Sequence, residues 1–401
     1  MTPHSKSLFA ALSALLLATL ACSLLPSPAT EAPPTDTPTL APLPPTDTPL
    51  PPIPTDTPEI PTATAFPVIA SPSLTFIEMF DEGNGWATTE QYVLRTIDGG
   101  LNWVSVTPPG VDSLGFLPIA FFKDTDLAWL LVPTDPTSGT LYRTTNGGLS
   151  WTSWPVPFSN GQIQFLDAST GFVLSSLGGG AGSEAVALYR TNDGGANWTR
   201  VYINDPTVPG AGDSLPLSGQ KIGMAFRDAD HGWVGGAIPR DGFVYLYQTA
   251  DGGLTWSQQT LTLPPGFENS MTEADAPQFF NPSEGILRLR LVSAVPTTVF
   301  YITFDGGQTW GRTFPINAIG RHSCANLLDI FLWDGGPALY FSHDGGLTWD
   351  VTMPNVNLSD TLTRIDFVNA STGWALAFGE DGNNLLYVTH DGGTTWTPLS
   401  P

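Results

Sequence analysis

Thr303-Phe-Asp-Gly-Gly-Gln-Thr-Trp310 is one of seven copies of a single pattern that follow residue 74. Each copy has Asp or Asn at its third position, then two glycines and a closing Trp. The third positions are Asp98, Asn146, Asp193, Asp251, Asp305, Asp344 and Asp391. The closing residues are Trp103, Trp151, Trp198, Trp256, Trp310, Trp349 and Trp396. The copies recur every 39 to 58 residues, a spacing typical of one four-stranded blade of a β-propeller.

The chemistry of the repeat is that of a tight turn. Asp or Asn at the third position can accept hydrogen bonds from backbone N–H groups just ahead of it. The glycines permit positive φ where the chain reverses, and the Trp anchors the turn in an apolar layer. Asn146 keeps the acceptor oxygen. We therefore predict that the side chains at all seven positions stabilise their turns and that none is catalytic.

A second motif precedes most of the turns and supplies two more strands. Its clearest copies are Phe165–Phe172, Phe226–Trp233 and Phe367–Trp374. Each copy of this second motif predicts an apolar strand, a polar turn and another strand. Each copy of the first motif predicts a third strand before its turn and a fourth strand after it. The prediction is an all-β, seven-bladed β-propeller with four-stranded antiparallel blades over residues 74–401.

The first motif is similar to the Asp box of sialidases and related propellers. The paired motifs resemble the photosystem II stability and assembly factor family, and this resemblance implies a seven-bladed propeller. A sialidase would need three arginines around the substrate carboxylate, and the usual Arg-Ile-Pro motif is missing here. Arg288 and Arg290 alternate along one predicted strand, where we expect ordinary solvated edge residues. One fold hosts many activities, so the role stays open.

The N-terminus predicts export. Residues 1–21 contain a fourteen-residue apolar run and read as a signal peptide. Ala21-Cys22 resembles a bacterial lipobox, which implies that Cys22 is lipidated; ordinary cleavage after Ala21 would instead give a secreted protein. Residues 22–73 are rich in Pro and Thr and predict an extended, disordered tether. We expect an extracytoplasmic protein that is anchored to a membrane by its lipid alone.

Charge and composition exclude several classes of function. Residues 74–401 contain 13 basic and 32 acidic residues, which gives a net charge of −19. Nucleic-acid binding needs clustered Lys and Arg, so it is not expected, and a photosystem-assembly role that relies on a basic patch is doubtful. Cys324 reads as a small buried residue. His322 has no other histidine near it in the sequence, and no cluster of metal-ligating residues is found, so neither a metal nor a cofactor is predicted.

The candidate ligand site lies on the face away from the Asp-box turns. The insertions Arg200–Gln220 and Gln258–Gln278 fall there, and variable loops on a rigid scaffold commonly carry binding. The candidate contact residues are Tyr202, Leu215, Phe267, Met271 and Glu273. We predict a monomeric, non-catalytic module that binds an extracellular protein or polysaccharide. The alternatives are a glycoside hydrolase or lyase, for which Glu268, Glu273 and Asp275 supply carboxylates, and a photosystem-assembly-like factor.

Overall fold

The computed structural model describes residues 66–115, 118–379 and 382–399. These residues form β-strands and no helix, which confirms the all-β prediction. Within these ranges, no helical segment could therefore cross a membrane. The predicted signal peptide, Cys22 and most of the predicted tether lie outside the described residues.

The strands follow one another in seven groups along the chain. Blades 1 to 3 contain β1–β12: Phe76–Met79, Gly85–Thr88, Val93–Thr96, Val104–Ser105; Ile119–Phe122, Ala128–Pro133, Gly139–Thr144, Thr152–Val156; Gln162–Phe165, Gly171–Gly180, Ser183–Thr191, Thr199–Ile203. Blades 4 and 5 contain β13–β21: Gln220–Phe226, Gly232–Ala237, Leu246–Thr249, Ser257–Gln258; Met271–Ala274, Gln278–Phe279, Gly285–Val292, Thr297–Thr303, Gly311–Arg312. Blades 6 and 7 contain β22–β29: Arg321–Cys324, Ile330–Trp333, Leu339–Ser342, Asp350–Thr352; Leu362–Phe367, Gly373–Phe378, Asn384–Thr389, Thr397–Leu399.

Consecutive strands pair antiparallel within each blade, so the predicted seven-bladed architecture is confirmed. Five blades are separate four-stranded sheets. Blades 4 and 5 differ, because the residue pair Ala237–Glu273 joins them into one nine-stranded sheet. The inner strand of blade 5 is also interrupted, since β17 and β18 pair with β19 as two short pieces.

Aromatic stacking between blades explains the second sequence motif. At several joints, the aromatic residue that ends an inner strand stacks on the aromatic residue at the second position of the second strand of the preceding blade. Phe226 stacks on Phe172 with 3.6 Å between ring centroids, and Phe165 stacks on Trp129 at 3.8 Å. These fully buried rings supply the apolar contact that holds adjacent blades together.

Blades 1 and 7 close the ring through side chains. The Met79 N–H donates to Asp366 Oδ2 at 2.7 Å, and the Trp374 indole donates to the Gly99 carbonyl at 2.8 Å. An apolar cluster that includes Ile77, Trp103 and Trp374 fills the joint. All four strands of blade 7 lie between residues 362 and 399, so the joint does not depend on strand exchange between the two ends.

The segment before β1 belongs to the folded body. The Ser105 N–H donates to the Pro67 carbonyl at 2.8 Å, and the Ile69 N–H donates to the Trp103 carbonyl at 2.9 Å. Val68 faces Val104 across this short antiparallel contact. The folded body therefore begins before the predicted boundary at residue 74.

Candidate functional site

The Asp-box turns share one set of hydrogen bonds. In blade 5, the Thr303 hydroxyl and the Thr309 N–H donate to Oδ1 of Asp305 at 2.8 and 2.9 Å. In blade 2, Oδ1 of Asn146 accepts the equivalent bonds, both at 3.0 Å. Bonds from the Thr309 side chain and backbone lower the pKa of Asp305 to about 2. Both glycines of each box have positive φ; Gly306, for example, is at 71°. These side chains are occupied by their own turns.

The two kinds of turn lie side by side. In blade 5, Oδ1 of Asn281 accepts from the backbone N–H groups of Ser283 and Glu284, both at 2.9 Å. The Gly306 N–H of the Asp box then donates to the Ser283 carbonyl at 2.8 Å. Equivalent bonds occur in the other six blades. Both kinds of turn therefore share one face, which we call the box face.

Two of the predicted ligand contacts point inward. Tyr202 and Leu215 are buried in the core cluster between blades 3 and 4. The Leu215 N–H donates to the Tyr202 hydroxyl at 2.7 Å, and the Trp256 N–H donates to the Ser214 hydroxyl at 3.2 Å. This part of the Arg200–Gln220 insertion therefore fills the wedge between two blades.

Three other predicted contacts lie near blade 5. Phe267 packs against the cluster between blades 4 and 5, while Met271 has 41% of its surface exposed. Glu273 is 2.9 Å from the guanidinium of Arg290. The two insertions thus place their residues at different inter-blade clusters, and the structure does not gather all five predicted contacts at one site.

Lys221 fastens the first insertion to blade 4. Its ammonium group donates to the carbonyl oxygens of Glu184, Pro216 and Gly219 at 2.8, 2.7 and 3.0 Å. It also lies 5.5 Å from the centre of the Tyr245 ring. Burial lowers the pKa of Lys221 to about 8, and the negative charge of Glu184 opposes that shift. Lys221 is therefore an internal staple.

Side chains of the inner strands bridge one blade to the next. In blade 3, the Gln164 amide both donates to and accepts from the backbone of Phe226, at 3.0 and 2.6 Å. Asp366 occupies the same position in blade 7, one residue before the last residue of the inner strand. Its carboxylate accepts from Met79, as described above. One position in the repeat thus carries an uncharged amide in one blade and an acid in another.

Inner strands of several blades line a shared space, which we call the channel, and we name two parts of its wall after this difference. The amide segment comprises Gln162–Phe165 and Ile222–Phe226. The charged segment comprises Phe76–Met79, Arg321–Cys324 and Leu362–Phe367, together with Arg288, which lines the same cavity of about 640 Å³. That volume is within the range typical of small-ligand sites.

Two ion pairs organise the charged segment. The Arg364 guanidinium is 2.5 Å from a carboxylate oxygen of Glu78 and 4.1 Å from the centre of the Phe76 ring. The Arg288 guanidinium is 2.8 Å from Asp275 and donates to a backbone carbonyl of the next blade at 2.9 Å. The prediction that Arg288 and Arg290 are solvated edge residues is therefore wrong, because β19 is a second strand and both arginines are ion-paired.

Confinement in the channel shifts the protonation of this segment. Burial raises the pKa of Glu78 to about 7; Arg364 opposes the shift and Asp366 adds to it. About a third of the Glu78 side chain still reaches channel solvent (35%), but protein surrounds that narrow space and reduces solvation of the charge. Burial also raises the pKa of Asp366. Burial, Arg288 and Arg364 lower the pKa of His322 to about 3, so its imidazole is neutral.

Arg321 is the unpaired cation of this wall. Its side chain is exposed and makes no hydrogen bond or ion pair with the residues that the structure describes. It lines the channel cavity and also a second cavity of about 650 Å³, which includes Tyr92 and Phe378. Arg321 therefore stands where the channel meets a groove between blades 1 and 7.

The charged segment also contains one thiol. Cys324 is buried, as predicted, and burial raises the pKa of its thiol to about 12. Among the described residues, no three His, Cys, Asp or Glu side chains are grouped as a metal site requires.

Sequence reasoning missed Glu78, Arg364 and Asp366. The signal that could have found them is the residue just before the Phe that begins each copy of the second motif. Gln164, Ala225 and Asp366 precede Phe165, Phe226 and Phe367. Extending the comparison to blade 1, where Glu78 precedes Met79 at the end of the inner strand, would have singled out blades 1 and 7 as the charged ones.

The fold and its repeated turns define the chain as an Asp-box β-propeller. The family model of the BNR/Asp-box repeat matches residues 387–398. The structure of YCF48 bound to a D1 peptide is similar to the chain at 18% identity and a TM-score of 0.51, over 81% of this chain and 96% of that one. YCF48 from Cyanidioschyzon merolae gives 18% identity and a TM-score of 0.51, over 82% and 96%.

A third similar structure is a polysaccharide lyase that acts on ulvan. It shares 11% identity at a TM-score of 0.49, over 82% of this chain and 94% of that one. No curated protein matches the sequence. At such identities the likeness concerns the fold, and function has to be argued from the site.

Proposed function

We propose that the chain is an extracytoplasmic binding module that recognises a protein or polysaccharide at the charged segment of its channel. The observation that carries this proposal is the contrast between Gln164 and Asp366. Both bridge to the backbone of the next blade, so an uncharged amide is sufficient for the structural task. Partly buried charges are costly to keep, and charges that the fold does not need mark a candidate ligand site.

Binding is favoured over catalysis because the carboxylates of this wall are already engaged. Asp366 accepts from Met79, Glu78 pairs with Arg364 and Asp275 pairs with Arg288. An acid–base pair for glycoside cleavage needs carboxyl groups that are free to face the scissile bond.

A glycoside hydrolase or lyase is the second candidate. The observation that favours it is Glu78, whose pKa of about 7 suits a general acid at neutral pH. Turnover separates the two candidates: a hydrolase shortens a polysaccharide that it binds, whereas a binding module leaves the chain length unchanged.

The proposed location rests on the N-terminal sequence. Cys22 would carry a lipid, and the Pro/Thr-rich residues that follow would hold a monomeric propeller away from the membrane. The Cys22→Ser chain should then be recovered in the medium, because it cannot be acylated. Cys324→Ala is the matched control and should stay in the membrane fraction. Retention of the Cys22→Ser chain in that fraction would contradict the lipid anchor.

Binding can be located with a neutralised channel. The intact chain with Cys22→Ser is compared on glycan and peptide arrays with the same chain carrying Glu78→Gln, Arg364→Gln and Asp366→Asn. Because all the charges of the ion-pair group are removed together, no charge is left buried without a partner, so this variant should fold while its binding falls by about tenfold or more. The control is Ile222→Gln, on the amide segment. Unchanged binding by the neutralised chain would contradict a site in the channel.

A further inference from the structure

We infer that the charged segment binds a carboxylate of an acidic polysaccharide, that Arg321 and Arg364 hold this carboxylate, and that Glu78 takes up a proton as it binds. This inference rests on the proposed function and adds a ligand class and a coupled proton.

Arg321 supplies the first contact. It is exposed at the meeting point of two cavities and makes no ion pair with the described residues. A guanidinium binds a carboxylate through two parallel hydrogen bonds. In a folded body that is otherwise strongly acidic, an unpaired Arg at a cavity is a local site for an anion.

Arg364 supplies the second contact by exchanging partners. Glu78 now occupies one side of its guanidinium, while the Phe76 ring lies against its face. The stacking contact does not involve Glu78, so the guanidinium keeps its plane when Glu78 becomes neutral. A ligand carboxylate can then take the place of the Glu78 carboxylate.

The wall suits a saccharide better than a peptide. An extended peptide would add to a strand edge through backbone hydrogen bonds. On the inner strands several of these N–H groups are already occupied: Phe226 donates to Gln164, Phe367 to Ser323 and Met79 to Asp366. The exposed guanidinium of Arg321 remains available, and a guanidinium binds carboxylates and sugar hydroxyls through its N–H groups.

The groups around Glu78 decide whether a proton is taken up or released when the ligand binds. Arg364 holds its pKa down, whereas burial and Asp366 raise it to about 7. A ligand anion that takes over Arg364 removes the lowering influence, so the pKa of Glu78 rises further and a proton is taken up. Across the cavity, Arg288 is already paired with Asp275, and His322 stays neutral because its pKa is about 3. Affinity should therefore increase as the pH falls through 7.

Calorimetry with trigalacturonate and its methyl ester tests the inference on the intact Cys22→Ser chain. The two ligands differ only in their carboxylates, and a uronate stays ionised over the range used. Trigalacturonate should bind about fivefold more tightly at pH 6 than at pH 8 if the pKa of Glu78 rises by roughly one unit on binding. Titrations in two buffers of different ionisation enthalpy should show net proton uptake near pH 7. The ester should bind about tenfold more weakly.

Two variants assign the roles. Arg321→Gln should weaken trigalacturonate binding by about tenfold, whereas Arg312→Gln, an exposed residue on an outer strand, should not. Glu78→Gln should still bind but lose both the pH dependence and the proton uptake. A melting temperature near that of the parent shows that each variant is folded.

Other outcomes overturn the inference. Equal affinity for trigalacturonate and its methyl ester would contradict a carboxylate site. Unchanged trigalacturonate affinity in the Arg321→Gln variant would contradict it as well. Peptide binding on the arrays, lost in the neutralised chain, with no binding of trigalacturonate would refute the saccharide ligand while supporting the proposed function. No channel-dependent binding of either class would refute both.

Discussion

The amide segment and the charged segment have the same backbone plan and opposite chemistry. Gln162 and Gln164 bridge β9 to β13 with uncharged amides. In blade 7, Arg364 and Asp366 occupy the strand positions that Gln162 and Gln164 occupy in blade 3. They connect β26 to β1, Arg364 through an ion pair and Asp366 as a carboxylate acceptor. A propeller repeat therefore fixes where a bridging side chain stands and leaves its charge free to change, and that freedom allows one part of the wall to acquire a binding role.

The largest expected effect is that of Arg364→Ala. It leaves Glu78 and Asp366 close together without their cation, and it does so at the joint that closes the ring. Breaking a fully buried ion pair costs about 3–5 kcal/mol; because about a third of each side chain still reaches solvent (31% and 35%), we expect about 1–3 kcal/mol. Urea unfolding measures the loss. Gln162→Ala, the counterpart in the amide segment, should cost less, and equal losses would remove the contrast between the segments.

The next largest effect is expected from exchanging amide and acid at the bridging position that Gln164 and Asp366 share. Gln164→Glu loses the donor to the Phe226 carbonyl and places a negative charge against it, so it should destabilise the chain by about 1–2 kcal/mol. Asp366→Asn keeps an oxygen that accepts from Met79 and should change stability by less than about 1 kcal/mol. If Asp366→Asn proves the more damaging of the two in urea unfolding, the charge at position 366 is structural after all.

The smallest effect is a trend with pH. The pKa of Glu78 is about 7 in the folded chain, against its ordinary 4.5. As the pH rises from 4.5 to 7, the unfolded chain releases this proton first, so the contribution of Glu78 to stability decreases across that window. Glu78→Gln has no such proton. The melting temperature of the variant minus that of the parent should rise by a few degrees between these pH values and then level off. A flat difference would contradict the raised pKa.

The repeat made most of the fold predictable. Asp or Asn, two glycines and Trp at fixed positions specify a turn through local hydrogen bonds and positive φ, and local rules can be read from a sequence. The charged segment was harder, because Glu78 and Arg364 lie 286 residues apart and meet only when the ring closes. Nothing local distinguishes Arg364 from a surface arginine.

The insertions show a second limit. Tyr202 and Leu215 stand in a Gly- and Pro-rich stretch that is typical of an exposed loop, and we expected ligand contacts there. In the structure they are buried between blades. The outer gap between two blades is a property of the assembled ring, so a sequence cannot tell whether an insertion fills that gap or extends into solvent.

The staple at Lys221 has a practical consequence for surface chemistry. The chain has three lysines: Lys6 lies in the predicted signal peptide, and Lys221 has its amine enclosed by carbonyl groups. Lys123 is exposed in the turn between β5 and β6, on the box face. Among the side-chain amines of the described residues, that of Lys123 should therefore react most readily in amine-directed coupling to a sensor chip. Molecules that are attached through Lys123 would share one orientation, with the face away from the box turns presented to the solution.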